Sequence, residues 1–289
     1  MSTPLVSIVI PAFNAAPFVE QAIRSVLAQT VADLEVILVN DGSTDDTASI
    51  ARSIGDERLL VIDRPNQGVS VARNVGLESA RGEHIGFLDA DDAMEPTNLA
   101  EKLAALQRTD ARWVYGDLLL CDAGMQPSGS IMRGTDGDVV RTILLGIDPA
   151  VPASCSNALL HRSCFATGFR FDPELSNAAD QHFALVMAKE HTYHHLPNAL
   201  NRYRVLPKSM SRNVDLYAAD HRRLMAKAMD LGLLDDPDLR KEVLSNAEWS
   251  IGGSYWKNAG TPVKALPYLL RAVAKDPSIL MRKLRPKGR

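Results

Sequence analysis

From Leu5 to Leu88 the chain alternates between short apolar segments and longer segments in which apolar residues recur every three or four positions. Short runs rich in Val, Ile and Leu are typical of buried strands, and the longer period is typical of helices with one buried face. This alternation predicts an α/β domain with a mostly parallel, Rossmann-like sheet flanked by helices. The predicted strands are Leu5–Ile10, Leu34–Val39, Leu59–Ile62 and Ile85–Leu88.

The following part of the chain has a less regular pattern. A helix is predicted for Pro96–Gln107 and a strand for Trp113–Leu120, whereas residues 121–137 are polar and glycine-rich and predict a mobile loop. From about Asp215 onward the periodic segments are all helical, which predicts a C-terminal helical extension. The segment Ser245–Pro277 resembles a single tetratricopeptide-like hairpin, and we interpret it as a helical cap on the main domain.

Charge and cysteine content argue against several kinds of partner and site. A formal net charge of −3 over 289 residues gives no basic field, so nucleic acid is not expected as a partner. There are three cysteines, an odd number, and their spacing does not match that of a zinc site. This pattern argues against a disulfide framework and fits a protein in a reducing compartment. No signal peptide is recognised, and no apolar stretch reaches the roughly 18 residues that a bilayer-spanning helix needs. We therefore predict a cytoplasmic location.

The last eight residues carry five positive charges, at Arg282, Lys283, Arg285, Lys287 and Arg289. A basic segment of this kind could make a weak peripheral contact with the anionic inner face of a membrane. A solvated, frayed terminus explains the same composition, and we favour that interpretation.

Polar residues follow each of the four predicted parallel strands. In a sheet of this kind the carboxyl ends of the strands meet at one edge, and ligands bind there. Four consecutive clusters therefore predict one binding site rather than four unrelated turns. The clusters are Pro11-Ala12-Phe13-Asn14, Asn40-Asp41-Gly42-Ser43, Asn66-Gln67-Gly68 and Asp89-Ala90-Asp91-Asp92.

The last of these clusters places three carboxylates within four residues at the end of a buried strand. Such a concentration of negative charge is unfavourable unless a cation is present. Mg²⁺ and Mn²⁺ prefer oxygen ligands and often combine one or two carboxylates with substrate phosphates. Asp89 and Asp91 point to the same side of an extended chain, so the pair predicts a divalent metal site. The alternative is a strand-to-helix turn whose aspartates cap the helix near Pro96.

Asp41 and Arg73 are two further candidate ligands for a nucleotide. Asp41 could accept hydrogen bonds from a base or a ribose, although Gly42 and a following helix cap would also explain this segment as an ordinary turn. Arg73 follows Gly68 on a predicted helix, and it could neutralise a diphosphate or simply pair with a surface carboxylate.

Together these segments resemble the nucleotide-binding half of family-2-type glycosyltransferases with the GT-A fold. No single segment is decisive, but their order and spacing are highly specific. The resemblance weakens between Trp113 and Cys155 and ends near Asn213. It is carried by Ser7–Asn14, Ser25–Thr30, Glu35–Asp45, Asn66–Asn74 and Gly86–Asp92, and later by Asn157–Arg162, Gly168–Pro173, Asp180 and Tyr203–Ser211.

The resemblance implies an inverting, metal-assisted glycosyltransferase that moves a sugar from a nucleotide-diphosphate donor to an acceptor hydroxyl. The commonest donor type in the family is a uridine diphosphate sugar, and the implied acceptor is a carbohydrate or glycolipid in polysaccharide, glycolipid or glycan biosynthesis. The implied organisation is a nucleotide-sugar-binding half at residues 1–95, an acceptor-binding half at residues 96–213 and a helical extension at residues 214–289.

The matching positions imply a role for each candidate residue. Asp91 would hold Mn²⁺ or Mg²⁺ at the diphosphate, and Asp180 would be the catalytic base. Asp89 would face the ribose, Arg73 would lie near the phosphates, and Asp41 would lie beside the base. The residues implied to contact the nucleotide sugar are Pro11, Ala12, Phe13, Asn14, Asp41, Asn66, Gly68, Arg73, Asp89 and Ala90.

Two residues differ from the family pattern. Ala179 precedes Asp180 where the family often has glutamate, and a helix N-cap for Gln181–Lys189 is an alternative role for Asp180. Leu206 stands where many relatives have a histidine that can reach the metal, so either water fills that position or the metal affinity is reduced. The histidines between residues 191 and 195 lack a further ligand at zinc spacing, and a zinc site is not expected.

Two other functions stay open at this point. A sugar-nucleotide-binding module without catalysis would show no donor turnover with or without Mn²⁺. A nucleotidyltransferase would release pyrophosphate rather than a nucleoside diphosphate. The defining motifs of dinucleotide, P-loop, zincin and α/β-hydrolase proteins are absent from the sequence.

Overall fold

The structure, a computed structural model, describes residues 3–146, 150–206 and 213–284. Its first elements are β1 (Val6–Ala12), α1 (Val19–Leu27), β2 (Leu34–Asn40), α2 (Thr47–Ser53), β3 (Leu59–Asp63), α3 (Val69–Ser79) and β4 (His84–Phe87). The four strands are parallel and lie side by side in the order β3-β2-β1-β4. A helix connects each strand to the next, so the predicted βαβ arrangement is confirmed.

The sheet continues through the second part of the chain. The elements there are β5 (Ala93–Met94), α4 (Asn98–Arg108), β6 (Trp113–Cys121), β7 (Pro127–Met132), α5 (Val139–Leu145), β8 (Ala158–His161), α6 (Ala179–Glu190) and β9 (Tyr193–Arg204). The order β4-β8-β6-β9-β5 extends the sheet, with β7 beside β6. Strand β8 is antiparallel to both of its neighbours, whereas β6 and β9 are parallel. The α/β prediction is confirmed, but parallel pairing predominates only in the first part.

Both faces of β1 are buried, which explains why its sequence is a continuous apolar run. Neighbouring side chains of a strand point to opposite faces of the sheet. Accordingly, Ile8 and Ile10 join the apolar cluster that contains Ile23 of α1, whereas Val9 joins the cluster that contains Ala72 of α3. Helices therefore cover both faces of the sheet and leave its carboxyl edge open for ligands.

The C-terminal extension consists of α7 (Val214–Asp230), α8 (Pro237–Lys257), α9 (Pro262–Lys275) and α10 (Ile279–Leu284). An apolar cluster joins it to the main domain, because Leu224 of α7 and Val243 of α8 pack with Leu145 of α5 and Leu185 of α6. Helices α8 and α9 pack against each other as the helical hairpin that the sequence predicted. The extension is thus a helical cap on the main domain.

Several elements, among them the short strand β5, β7 and α5, lie where the sequence predicted none. Residues 121–137 were expected to be a loop, but they include β7, which pairs with β6 through Leu118 and Met132. Five of the six residues of β7 are exposed, so this edge strand carries no alternating apolar pattern from which it could have been recognised. Helix α5 is a short helix whose N-cap, Asp138, accepts a hydrogen bond from the backbone N–H of Arg141 at 2.9 Å.

One sheet runs through both predicted halves of the main domain, since β4 of the first pairs with β8 of the second. The boundary at residue 95 therefore does not separate two sheets. It remains a prediction about which part of the domain binds the nucleotide sugar and which part binds the acceptor. None of the helices in the described part of the chain combines the length and apolar character needed to cross a membrane. In the basic tail, Arg282 and Lys283 belong to α10, whereas Arg285, Lys287 and Arg289 lie outside the described residues.

Close packing of α3 on β1 can be tested at Gly76, where an added Cβ would lie 2.2 Å from Cγ1 of Val9. We expect Gly76→Ala to lower the free energy of unfolding by about 1–3 kcal/mol, because the β-branched valine has little freedom to move.

In α8, nothing lies within 4 Å of a Cβ built on Gly253. Gly253→Ala should raise the free energy of unfolding by about 0.5–1 kcal/mol.

Urea denaturation followed by circular dichroism measures both variants. Equal stability of Gly76→Ala and the unmodified protein would contradict the packing described for α3 and β1.

Candidate active site

The loops that follow β1 and β2 are bonded to each other at the carboxyl edge of the sheet. The backbone N–H of Asn14 donates to Oγ of Ser43 at 2.9 Å, and the backbone N–H of Thr44 donates to Oδ1 of Asn14 at 2.9 Å. The backbone N–H of Asp41 donates to the carbonyl of Ala12 at 2.8 Å. These bonds bring the first two predicted clusters together.

Asp41 connects this edge to the third cluster. Its carboxylate is buried and accepts hydrogen bonds from the backbone N–H groups of Gln67 at 3.1 Å and Gly68 at 2.8 Å. Nε of Arg64 lies 3.6 Å from the same carboxylate. Asp41 therefore fixes the shape of the loop that presents Asn66.

Arg73 pairs with an acidic residue of the site rather than with a surface carboxylate. It lies on α3 and is only 5% exposed. Nη2 of Arg73 donates to Oδ1 of Asp89 at 2.9 Å, and the guanidinium lies 5.5 Å from the centre of the Phe171 ring. The side chain of Asp89 is 34% exposed, so the pair forms part of the wall at the end of β4.

The acidic cluster after β4 carries more negative charge than the neighbouring positively charged groups neutralise. Burial, together with the neighbouring Asp89, raises the pKa of Asp91 to about 6. Burial and the neighbouring Asp91 and Asp89 raise the pKa of Asp92 well above the ordinary range. Asp92 accepts a hydrogen bond from the backbone N–H of Arg204 at 2.8 Å. The carboxylate of Asp91 has no bond to another residue within the described ranges, so it is available to a cation.

The chemistry of these groups fits a hard divalent cation, which takes carboxylate oxygens as ligands. Among the residues that the structure describes, no three His, Cys, Asp or Glu side chains form a group that could hold a metal ion. An ion at Asp91 would therefore take further ligands from water or from substrate phosphates, as Mg²⁺ commonly does. Leu206, just after β9, supplies no ligand.

Arg204 is a residue of the site to which the sequence assigned no role. Its Nε donates to the backbone carbonyl of Asp91 at 2.7 Å, and Nη2 donates to Oε1 of Gln21 at 2.6 Å. The guanidinium lies 4.6 Å from the centre of the Phe18 ring. Arg204 thus fastens the acidic segment to α1. Arg204 belongs to the segment Tyr203–Ser211 that resembles the family, which was the only sign of its importance in the sequence. Its contacts join residues far apart in the chain, so they could be seen only in the structure.

Asp180 lies in the first turn of α6 and belongs to the same electrostatic environment. The N-cap of α6 is Ala178 rather than Asp180, whose Oδ1 accepts a hydrogen bond from the backbone N–H of Gln181 at 2.8 Å. Burial raises the pKa of Asp180; Arg73 opposes this shift and Asp89 adds to it. The two predicted functional carboxylates, Asp89 and Asp180, therefore both interact with one buried arginine.

The remaining candidate residues differ in their exposure to solvent. Pro11 and Ala90 are buried backbone positions, whereas Asn66 is exposed. Phe13 exposes 51% of its surface and offers an apolar face to solvent.

The histidines between residues 191 and 195 do not assemble into a metal site in the described structure. His195 is buried between two carboxylates, with Nε2 2.8 Å from Oδ1 of Asp117 and Nδ1 2.7 Å from Oδ1 of Asp136. Its ring stacks on Tyr115, with centroids 5.2 Å apart. His195 therefore joins β9 to the segment before α5.

The sequence pattern that defines the family described as Glycosyl transferase family 2 matches residues 7–173, more than half of the chain. This chain belongs to glycosyl transferase family 2. The matched range contains Asp41, Arg73, Asp89 and Asp91, whereas Asp180 lies beyond its end. The family that the resemblance implied is confirmed.

Sequence relatives of this family-2 chain match about a third of its length. The uncharacterized glycosyltransferase EpsJ of Bacillus subtilis is 50% identical over 91 residues, which cover 31% of this chain and 26% of that protein. The chondroitin synthase of Pasteurella multocida is 44% identical over 95 residues, which cover 32% of this chain and 10% of that protein. The chain thus spans well under half the length of these relatives.

Solved structures match nearly the whole family-2 chain. Residues 1–349 of Staphylococcus aureus TarS, in complex with UDP-GlcNAc, match 93% of this chain and 79% of that chain, with a TM-score of 0.68 and 18% identity. A mannosyltransferase from Pyrobaculum calidifontis, in complex with GDP-Man and Mn²⁺, matches 98% of this chain and 79% of that chain, with a TM-score of 0.59 and 20% identity. These matches confirm the predicted GT-A fold.

The pair formed by Arg73 and Asp89 predicts a measurable effect on stability. Arg73→Met removes the cation that faces Asp89 and Asp180, so we expect the free energy of unfolding to fall by about 1–3 kcal/mol, less than for a fully buried pair. Adding Asp89→Asn should recover part of this loss because one uncompensated charge disappears. Urea denaturation of the single and double variants measures the coupling.

Arg24→Met is the matched control, because Arg24 pairs with Glu20 at the surface, 2.8 Å away. It should change the free energy of unfolding by less than about 1 kcal/mol. Equal effects of Arg73→Met and Arg24→Met would show that the arginine in the site does not balance buried charge.

Proposed function

We propose that this chain is an inverting glycosyltransferase of the EC 2.4 class, hexosyltransferase-type, which transfers a sugar from a nucleoside diphosphate to an acceptor hydroxyl. Membership of glycosyl transferase family 2 supports the reaction class. One observation carries the mechanism: buried Arg73 hydrogen-bonds Asp89 and also opposes the rise in pKa that burial causes in Asp180, which comes from a distant part of the chain. The arrangement places a charge-neutralising group beside a candidate base.

The carboxyl edge of the sheet is the proposed donor site. Exposed Phe13 and the loop held by Asp41 offer apolar and polar contacts for a base and its ribose. Arg73 offers positive charge for the diphosphate. Asp89, which pairs with Arg73, is the proposed contact for the ribose. A uridine diphosphate sugar is the donor that the family resemblance favours, and the TarS structure with UDP-GlcNAc supports this choice.

Asp91 is the proposed ligand of Mn²⁺ or Mg²⁺. A bound ion would offset negative charge on the diphosphate as its bond to the sugar breaks. Among the described residues, none forms a hydrogen bond or ion pair with the carboxylate of Asp91, and its pKa is raised. Both observations support this role, because a nearby cation would stabilise the ionised form. Leu206 contributes no ligand, so water is the proposed occupant of the position that histidine takes in many relatives.

Asp180 is the proposed catalytic base. Its carboxylate accepts the proton of the acceptor hydroxyl while the hydroxyl oxygen attacks the anomeric carbon. The bond from that carbon to the diphosphate oxygen breaks on the opposite face, and the nucleoside diphosphate leaves with the bonding electrons. A single displacement inverts the anomeric configuration. The raised pKa makes Asp180 a stronger base than an ordinary aspartate.

The proposed acceptor is a carbohydrate or glycolipid in the synthesis of a polysaccharide, a glycolipid or another glycan. The chondroitin synthase among the sequence relatives supports a role in building sugar chains. The proposed location of the reaction is the cytoplasm, where the acceptor is either in solution or at the inner face of a membrane.

Asp180→Asn is the direct test of the base, because it preserves the size of the side chain and removes the proton-accepting charge. We expect the transfer rate to fall by at least about 100-fold, as expected for loss of a general base. Donor affinity should change by less than about threefold, since Asp180 acts on the acceptor. Nucleoside diphosphate release measures the rate, calorimetry measures donor binding, and NMR of the product gives its anomeric configuration.

Asp230→Asn is the matched control, since Asp230 is an exposed residue of α7 and its loss should leave both quantities unchanged. Full transfer activity in Asp180→Asn would remove Asp180 from the role of base, and a product with retained configuration would contradict single displacement.

A further inference from the structure

A cavity of about 630 Å³ lies where the C-terminal extension meets the main domain. One wall consists of α5, the residues that follow position 150, and the start of α6. The facing wall consists of α7, α8 and α10 of the extension. Its volume is within the range of pockets that hold small ligands.

This cavity reaches the proposed catalytic base. Asp180 and the adjacent Gln181 both line it. Asp180 also interacts electrostatically with Arg73 and Asp89 at the donor site. Asp180 therefore stands between the donor site and the cavity, which is the place required of a base that activates an acceptor hydroxyl.

The extension contributes side chains that suit a sugar. Trp249 and Tyr217 line the cavity and offer aromatic surface, while Ser250 and Ser254 offer hydroxyl groups. The hydroxyl groups of Tyr217 and Ser250 are hydrogen-bonded to each other at 2.8 Å, which fixes both side chains. The wall thus combines aromatic and hydroxyl groups in a fixed arrangement.

Two polar residues in the wall have unused bonding capacity. Nδ1 of His221 and Oδ1 of Asn246 are buried without a hydrogen-bond partner among the described residues. Both residues line the cavity. Buried polar atoms are normally bonded, so a bound water or ligand is the expected partner after a small side-chain movement. Burial lowers the pKa of His221 to about 4, which leaves its ring neutral at pH 7.

The charges in the wall favour an anion. Lys257 of α8 and Lys283 of α10 line the cavity, and neither forms an ion pair with a residue in the part of the chain that the structure describes. Among the described lining residues, Asp180 is the sole acidic one. The extension therefore presents two uncompensated positive charges, and the negative charge belongs to the proposed base.

We propose that the C-terminal extension forms the acceptor subsite, and that the acceptor is an anionic sugar chain. Its carboxylate or phosphate groups contact Lys257 and Lys283, its sugar ring packs near Trp249, and one hydroxyl reaches Asp180. This inference rests on the proposed role of Asp180. It assigns acceptor selection to residues beyond the range that defines the family.

Calorimetric binding tests the proposal with three probes: a glucuronate-containing oligosaccharide, an oligomer of glycerol phosphate, and a neutral oligosaccharide of the same length. At least one anionic probe is expected to bind about tenfold or more tightly than the neutral probe. The two anionic probes distinguish a carboxylate ligand from a phosphate ligand. The variant Lys257→Glu with Lys283→Glu should weaken that binding by about tenfold or more.

Lys275→Glu is the control, since Lys275 is exposed on α9 outside the cavity, and it should change the binding by less than about twofold. Circular dichroism checks that each variant is folded, and Lys257→Gln with Lys283→Gln should lie between the wild type and the charge reversal. Equal binding of the neutral and anionic probes, or an unchanged affinity after charge reversal, would overturn the proposal.

Binding of uridine diphosphate with Mn²⁺ is measured on the same samples and separates this inference from the proposed function. Nucleotide binding without any preference for anionic probes contradicts the acceptor subsite alone. A preference for anionic probes without nucleotide binding contradicts the proposed transferase and leaves the cavity an anion-binding site.

Discussion

Negative charge gathered at the carboxyl edge of the sheet is the constraint on which the rest of the structure depends. Asp89, Asp91 and Asp92 follow one strand, and burial raises the pKa of the latter two. Two arginines offset part of this charge: Arg73 bonds to Asp89, and Arg204 holds the backbone of Asp91. The remaining charge on Asp91 has no partner among the described residues, so a divalent ion with its substrate phosphates is the most direct way to complete the site.

The same arrangement connects distant parts of the chain. Arg73 lies on a crossover helix and reaches both the end of β4 and, through its charge, Asp180 on α6. Asp180 in turn lines the cavity between the main domain and the C-terminal helices. In the proposed mechanism, Asp180 therefore lies between the donor site at the edge of the sheet and an acceptor held by the extension, which packs against α5 and α6. Selection of an anionic acceptor by Lys257 and Lys283 would take place in the part of the cavity that the extension lines.

The sequence predicted the parallel half of the fold well because its strands are buried on both faces and appear as continuous apolar runs, as in β1. It also predicted which polar clusters converge, since parallel strands end at one edge. It missed β7, whose exposed residues carry no apolar pattern. The role of Arg204 and the cavity beside Asp180 could not be predicted, because both depend on contacts between residues far apart in the chain. Assignment of roles to Asp91 and Asp180 rests on the family resemblance, and the structure adds their electrostatic environment.

The most direct test of the central claim is a calorimetric titration of the protein with uridine diphosphate, in the presence of Mn²⁺ or of a chelator. We expect Mn²⁺ to strengthen nucleotide binding by at least about tenfold, and Asp91→Asn to remove this gain while the protein remains folded. Equal nucleotide affinity with Mn²⁺ and with the chelator, or a full effect of Mn²⁺ in Asp91→Asn, would contradict the claim that the acidic edge binds a metal ion together with the diphosphate.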